Sequence, residues 1–283
     1  MTSTTPSFFE RWQTLRKGRG PFCLNLDPSE RLLRDWSLPV DAEGLRHFCA
    51  AVLEAAEDRV GVIKPQSAYF ERFGPAGLEV LRDVIAAIRS RGSLALLDAK
   101  RGDIGSTNEG YAAGLLGPGS ALQADALTVH AYLGFAALQP LLERACATGC
   151  GIFAVVLSSN PEGRVLQAAR TQNGVTVAEA LAEEITAYNA KLGDEAVGPV
   201  GAVVGLTAEA IPETLARLPR SLILAPGLGA QGGTIEDLVR RFASVRSRVL
   251  PCSGREVLAA GPDRTRLRAA IGDHCARTHE VLG

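Results

Sequence analysis

Residues 151–157 read Gly-Ile-Phe-Ala-Val-Val-Leu. A run this short and this apolar, rich in β-branched and aromatic types, has the length of a strand rather than a helix. A strand with one wet face would alternate apolar with polar side chains. This one does not, so both of its faces are covered, as in a parallel sheet flanked by helices.

Runs of the same kind lie on either side. Together with 152–157, residues 22–26, 60–64, 94–98, 126–130, 200–205, 222–225 and 249–252 make eight candidate strands. Between them lie stretches with helical spacing, at 42–57, 77–91, 135–147, 177–192, 208–218, 234–242 and 255–271. In the first, Leu45, Phe48, Cys49, Val52, Leu53 and Ala56 fall on one face. Eight strands alternating with helical stretches predict an α/β chain closed as a (β/α)8 TIM barrel, one domain over residues 1–283. An open doubly wound sheet is the alternative, but no GxGxxG follows the first strand. Residues 160–198 exceed what one loop and one helix need, which predicts a lid or an extra helix after strand five.

Composition narrows the partners. The 283 residues carry a formal net charge of −1, so no global field attracts nucleic acid. No apolar run is long enough for a membrane span, and the N-terminus has no apolar core behind a basic start, so a cytoplasmic location is expected. The six cysteines form no CxxC pair and read as reduced thiols. Cys146 and Cys150 would share a face if that stretch were helical, and His274 and His279 are expected on a surface helix. His130 ends strand four, where it lines a site or fills it passively.

Chemistry concentrates after strand three, in Leu94-Ala-Leu-Leu-Asp98-Ala-Lys100-Arg-Gly-Asp103-Ile-Gly-Ser-Thr107. Alternation along a strand points Asp98 and Lys100 to the same side. Strand two stays apolar until Lys64, and strand one ends in Asn25-Leu26-Asp27. One such charge is readily a salt bridge or a snorkelling lysine. Several at adjacent buried strand ends cost desolvation that a structural role explains poorly. At the far end, Pro226-Gly-Leu-Gly-Ala-Gln-Gly-Gly233 lets backbone N–H groups approach an anion, the following helix offers its positive end, and Arg255 can grip phosphate oxygens in pairs.

The DxKxxDI string, with a Thr four residues past its second Asp, resembles the signature of the orotidine 5′-phosphate decarboxylase family. Lys64 matches that family's other network lysine, and Cys23–Asp27 resembles its first strand. Leu157-Ser-Ser-Asn-Pro161 resembles its base-binding segment, and 226–233 with Ser253-Gly254-Arg255 its phosphate-binding segments. The overall look is that of the longer bacterial subgroup. The resemblance implies cofactor-free conversion of orotidine 5′-phosphate to UMP and CO2, the last step of UMP synthesis. Lys100, Asp98, Lys64 and Asp103 would be the catalytic set. Asp27 would meet the ribose, Asn25 would bind substrate, and Ser159 would meet the pyrimidine. Pro226, Gly227, Gln231, Gly254 and Arg255 would hold phosphate. Ile104 would touch substrate, and Asp103 and Thr107 would reach the neighbouring site of a homodimer.

Two rivals share parts of this pattern. A sugar-phosphate decarboxylase or aldolase would keep DxKxxD but add Mg2+ on carboxylates. A non-catalytic nucleotide-binding barrel would keep the glycine loops and Arg255 without needing all four charged residues.

Overall fold

The computed structural model describes residues 5–192 and 197–283. Its eight strands are all parallel and close in chain order: β1 (Cys23–Leu26), β2 (Val62–Pro65), β3 (Leu94–Arg101), β4 (Ala126–Val129), β5 (Gly151–Leu157), β6 (Val200–Val204), β7 (Ile223–Pro226) and β8 (Val249–Ser253), with β8 pairing back onto β1. The expected barrel is the observed one.

Thirteen helices accompany the strands among the described residues. Before and after β1 come α1 (Phe8–Arg19), α2 (Glu30–Asp35) and α3 (Ala42–Ala56). After β2 come α4 (Ala68–Glu71) and α5 (Gly74–Ser90), and after β3 comes α6 (Gly105–Leu115). Next are α7 (Gln139–Thr148), α8 (Arg164–Gln167), α9 (Val177–Ala190), α10 (Ile211–Ala216) and α11 (Ile235–Arg241). The chain closes with α12 (Arg255–Leu258) and α13 (Arg264–Leu282).

The period-two alternation of the strands sorts their side chains into two cores. Leu24, Ile63, Ala95, Leu97 and Leu127 pack outward against the helices. Cys23, Val62, Leu94, Leu96, Ala126 and Phe153 pack inside the barrel. Followed toward the C-terminal ends, the inner rows turn polar: Cys23 gives way to Asn25, Val62 to Lys64, Leu96 to Asp98, and Ala126 to Thr128. The floor is sealed by α1, which places Phe8, Phe9 and Trp12 against the inner core. Ser7 and Glu10 cap its start reciprocally. Arg11 anchors it to Asp125 at 2.6 Å, ahead of β4.

Several local expectations are corrected. The helix expected over 255–271 is two, because Pro262 cannot continue a helix and Gly261 is pressed under Trp36, where a Cβ would lie 1.9 Å from the ring. Asp263 then caps α13. The stretch 135–147 opens as a 3-10 turn over Phe135–Leu138 before α7 begins. Cys146 and Cys150 do not share a helix face, since α7 ends at Thr148 and Gly149 turns left-handed at φ 68°. His274 is buried, its Nδ1 3.0 Å from the Ala270 carbonyl and its ring against Phe22; of this pair it is His279 that is on the surface. The extension 160–198 holds a 3-10 turn, α8 and α9; its residues 193–196 lie outside the described ones, as do residues 1–4. All six cysteines are free thiols.

Candidate active site

The polar inner row meets at the C-terminal mouth in a cavity of about 520 Å³. Its floor is a charged array. Lys64 Nζ lies 2.5 Å from Asp98 Oδ2, and Lys100 Nζ lies 2.6 Å from Asp98 Oδ1. Two further donors complete the carboxylate. The Thr128 hydroxyl donates to Oδ1 at 2.8 Å, and the Gln66 amide, with its nitrogen facing Asp98, donates to Oδ2 at 2.8 Å. Burial alone would push the Asp98 carboxyl up, but the two ammoniums and their hydrogen bonds hold it well below the usual range. Burial alone would likewise depress Lys64, but Asp98 and Asp27 reverse this and keep it charged. Lys64 is 5% exposed and Lys100 49%, so the first is locked while the second faces the cavity.

Alternation does put Asp98 and Lys100 on the same side, but not along a regular strand. The β3–β4 ladder shifts register between Leu97 and Arg101, and Lys100 adopts φ 46°, a left-handed conformation uncommon outside glycine. The Lys100 N–H donates to Thr128 Oγ1 at 3.0 Å, so one threonine fixes both the bend and the carboxylate. Sequence reading passed over Thr128 and gave Gln66 no role. A lone hydroxyl in the otherwise apolar Ala126-Leu-Thr-Val129 was the available signal.

Asn25 and Asp27 also line the cavity. Asn25 Oδ1, Asp27 Oδ1 and Ser159 Oγ are buried with no hydrogen-bond partner among the described residues. Unpaired buried polar atoms are costly unless something else completes them. Three such atoms around one cavity mark where a ligand's polar groups would go. Burial pushes the Asp27 carboxyl above its ordinary value, partly offset by Lys64.

The opposite end holds Pro226, Gln231 and Arg255. The loop from Gly227 folds on itself: Gly233 N donates to Gly227 O at 3.0 Å, and Gly229 N to Gly233 O at 2.9 Å. Gly227 has φ 116°, which a side chain would resist. Gly254 packs on β1, where a Cβ would come 2.6 Å from Asn25 Cβ. The helix that follows begins with a cap of its own and acidic side chains. Thr234 and Asp237 cap α11 reciprocally, and Glu236 and Asp237 fill its first turn. By contrast, no side chain caps the start of α12, where Arg255 sits.

Asp103, Ile104 and Thr107 stand apart from this cavity, at the start of α6. Asp103 Oδ1 accepts from Ile104 N at 2.8 Å, Ile104 is 60% exposed and Thr107 is exposed. His130 is exposed and does not line the cavity. Among the described residues there is no group of three or more His, Cys, Asp or Glu placed to hold a metal ion.

A closed (β/α)8 barrel with paired ammoniums on one carboxylate at its mouth, and an arginine and a glycine loop among the same mouth's loops, has the layout of a barrel enzyme. The model of the orotidine 5′-phosphate decarboxylase / HUMPS family matches residues 20–270. An orotidine 5′-phosphate decarboxylase of Myxococcus xanthus is 51% identical over 278 residues, covering 96% of each chain. One of Salinispora tropica is 50% identical over 264 residues, covering 93% of this chain and 94% of its own. A solved structure from Streptomyces avermitilis, described as a candidate orotidine 5′-phosphate decarboxylase, superposes with a TM-score of 0.93 at 41% identity, covering 100% of this chain and 98% of its own. The chain belongs to the orotidine 5′-phosphate decarboxylase / HUMPS family.

Proposed function

We propose that the cavity takes orotidine 5′-phosphate and releases UMP and CO2, the carboxy-lyase step that completes UMP in pyrimidine biosynthesis, with no cofactor. The observation that carries this reading is the Lys64–Asp98–Lys100 array at one end of a cavity whose other end presents Gln231 and Arg255.

The chemical difficulty is an electron pair left on ring carbon C6 when its bond to the carboxylate carbon breaks. Lys100 answers it. Its ammonium stabilises the pair as it forms and then donates a proton to C6, leaving a neutral amine that regains its proton from water. At 4 Å and an effective dielectric near 20, opposite unit charges attract by about 4 kcal/mol. Each 1.36 kcal/mol off a barrier is about tenfold in rate, so this single placement contributes roughly a thousandfold. Repulsion between Asp98 and the substrate carboxylate is a secondary contribution, relieved as CO2 departs.

The remaining roles are those the family resemblance implies. Lys64, locked on Asp98, bridges to a ribose hydroxyl. Asp27 and Asn25, with their unpaired oxygens, accept from the ribose. Ser159 meets the pyrimidine. Gln231, Arg255 and the Pro226, Gly227 and Gly254 backbone hold phosphate, and that remote binding orients the ring.

The functional unit is a homodimer in which Asp103 and Thr107 complete the neighbouring site and Ile104, beside them, touches the substrate there. Ile104, Tyr132 and Leu133 form exposed apolar surface on the β3 and β4 loops, beside these residues, which supports this. The barrel reads as one domain that includes the 160–198 extension. It works in the cytoplasm, apart from nucleic acid; among the described residues no helix is long and apolar enough to cross a membrane.

The test is to add orotidine 5′-phosphate to chelator-treated protein and follow the pyrimidine absorbance. Turnover that persists is expected. Turnover that appears only when Mg2+ is restored would favour the sugar-phosphate reading instead.

A further inference from the structure

The segment after β5 has so far no task, and its hydrogen bonds point to one. Gln167, on α8, grips Ser158 at two points. The Ser158 N–H donates to Gln167 Oε1 at 2.9 Å, and Gln167 Nε2 donates to Ser158 Oγ at 2.8 Å. Because a backbone N–H can only donate, it fixes the amide orientation and every bond beyond it. The Ser158 hydroxyl, already accepting, gives its proton to Asn160 Oδ1 at 2.6 Å, and Asn160 Nδ2 donates to Glu162 at 3.0 Å. The turn that brings Gln167 back requires Gly163, where a Cβ would lie 2.7 Å from Ser158 Oγ.

Ser159 follows directly. It rests on Gly205, where a Cβ would meet its hydroxyl at 2.3 Å, and that buried hydroxyl has no partner among the described residues. Ser159 is thus held by β6 on one side and by the gripped Ser158 on the other. We propose that Gln167 is a positioning residue for the base end of the cavity: by clamping Ser158 it aims Ser159 at the pyrimidine, and this is the task of the turn 160–167. The inference rests on the base-binding role read above for Ser159.

Isothermal titration of the full-length wild type, Gln167→Leu, Gln167→Glu and Ser158→Ala with UMP and with ribose 5-phosphate tests it. Gln167→Leu removes both bonds and is expected to weaken UMP roughly tenfold, consistent with two ordinary hydrogen bonds. Ribose 5-phosphate, which lacks the base, should stay within about twofold on the same scale. Gln167→Glu keeps the acceptor for Ser158 N and should fall between, as should Ser158→Ala, which keeps that bond and loses the other. An unchanged ratio of UMP to ribose 5-phosphate affinity across these variants overturns the proposal, whether both ligands weaken together or neither does. If wild type binds UMP but does not turn over orotidine 5′-phosphate, the decarboxylase reading fails while this binding ratio is still decided.

Discussion

Lys100 Nζ reaches Asp98 Oδ1 at 2.6 Å from a backbone bent into the left-handed region, at φ 46°. A regular β3 would have carried Lys100 onward along the ladder. The bend turns it back over its own strand, and such backbone conformations cost on the order of 1–3 kcal/mol and persist only where surroundings enforce them. Thr128 supplies that enforcement by accepting from Lys100 N while donating to Asp98.

Lys100→Ala should lower turnover by about a thousandfold or more, from the loss of one preorganised charge and the proton donor. UMP binding should remain measurable by titration. Turnover within tenfold of wild type would remove Lys100 from the proton-donor role.

Thr128→Val should act on the same geometry more gently. It leaves Asp98 Oδ1 and Lys100 N each short of a partner, a cost of about 1–3 kcal/mol. Urea unfolding should show that loss, and kcat should fall with little change in KM, because the bend aims Lys100 rather than binding substrate.

Asp98→Asn should be costlier to the fold. It leaves the Lys64 ammonium buried without its nearest counter-charge, a loss that typically destabilises by about 3–5 kcal/mol. The pH dependence follows from the direction of the Asp98 shift. A carboxyl held below its unfolded value contributes stability that is present above about pH 4 and is lost as pH falls through the lower, folded value. Wild-type stability should therefore lose an increment on acidification below about pH 4 that Asp98→Asn lacks.

Asp27 is shifted the opposite way, its carboxyl raised by burial. The ionised carboxylate accepts from a ribose hydroxyl more strongly than the protonated acid does, so kcat/KM should decline on acidification at a pH above the ordinary carboxylate value of about 3.9. Asp27→Asn should flatten that limb. For stability the sign reverses: a raised carboxyl favours folding most at low pH, and that contribution fades as pH rises through the folded value. A kcat/KM profile whose acid limb is identical in wild type and Asp27→Asn would detach Asp27 from substrate binding.

Mixing Lys100→Ala with Asp103→Ala subunits tests the shared sites. If Asp103 and Thr107 complete a neighbour's cavity, hybrids carry one site that is intact on both counts, and activity should recover to roughly a quarter of wild type for random pairing of equal amounts. Recovery no greater than the sum of the two single variants argues that each cavity is complete within its own chain.

The sequence by itself determined the eight strands, the barrel, and the charged row at its mouth. These depend on local properties: an unbroken apolar run declares a strand covered on both faces, and period two tells which residues share a side. Lys64, Asp98 and Asn25 were legible because each is the first polar residue on an inward row, and Asp27 because it is the next on Asn25's row. The tertiary structure decided what reaches across strands. Gln66 and Thr128 complete Asp98 only because β2, β3 and β4 lie side by side, and Gln167 grips Ser158 only because a turn folds back. Phe8 and Trp12 become a barrel floor only once the barrel has closed above them. The start of α11 carries a reciprocal cap of Thr234 and Asp237, a pairing that only the folded turn reveals. Patterns within one element are written in residue order, but hydrogen-bond partners are chosen by three-dimensional distance, and closure of the barrel sets those distances.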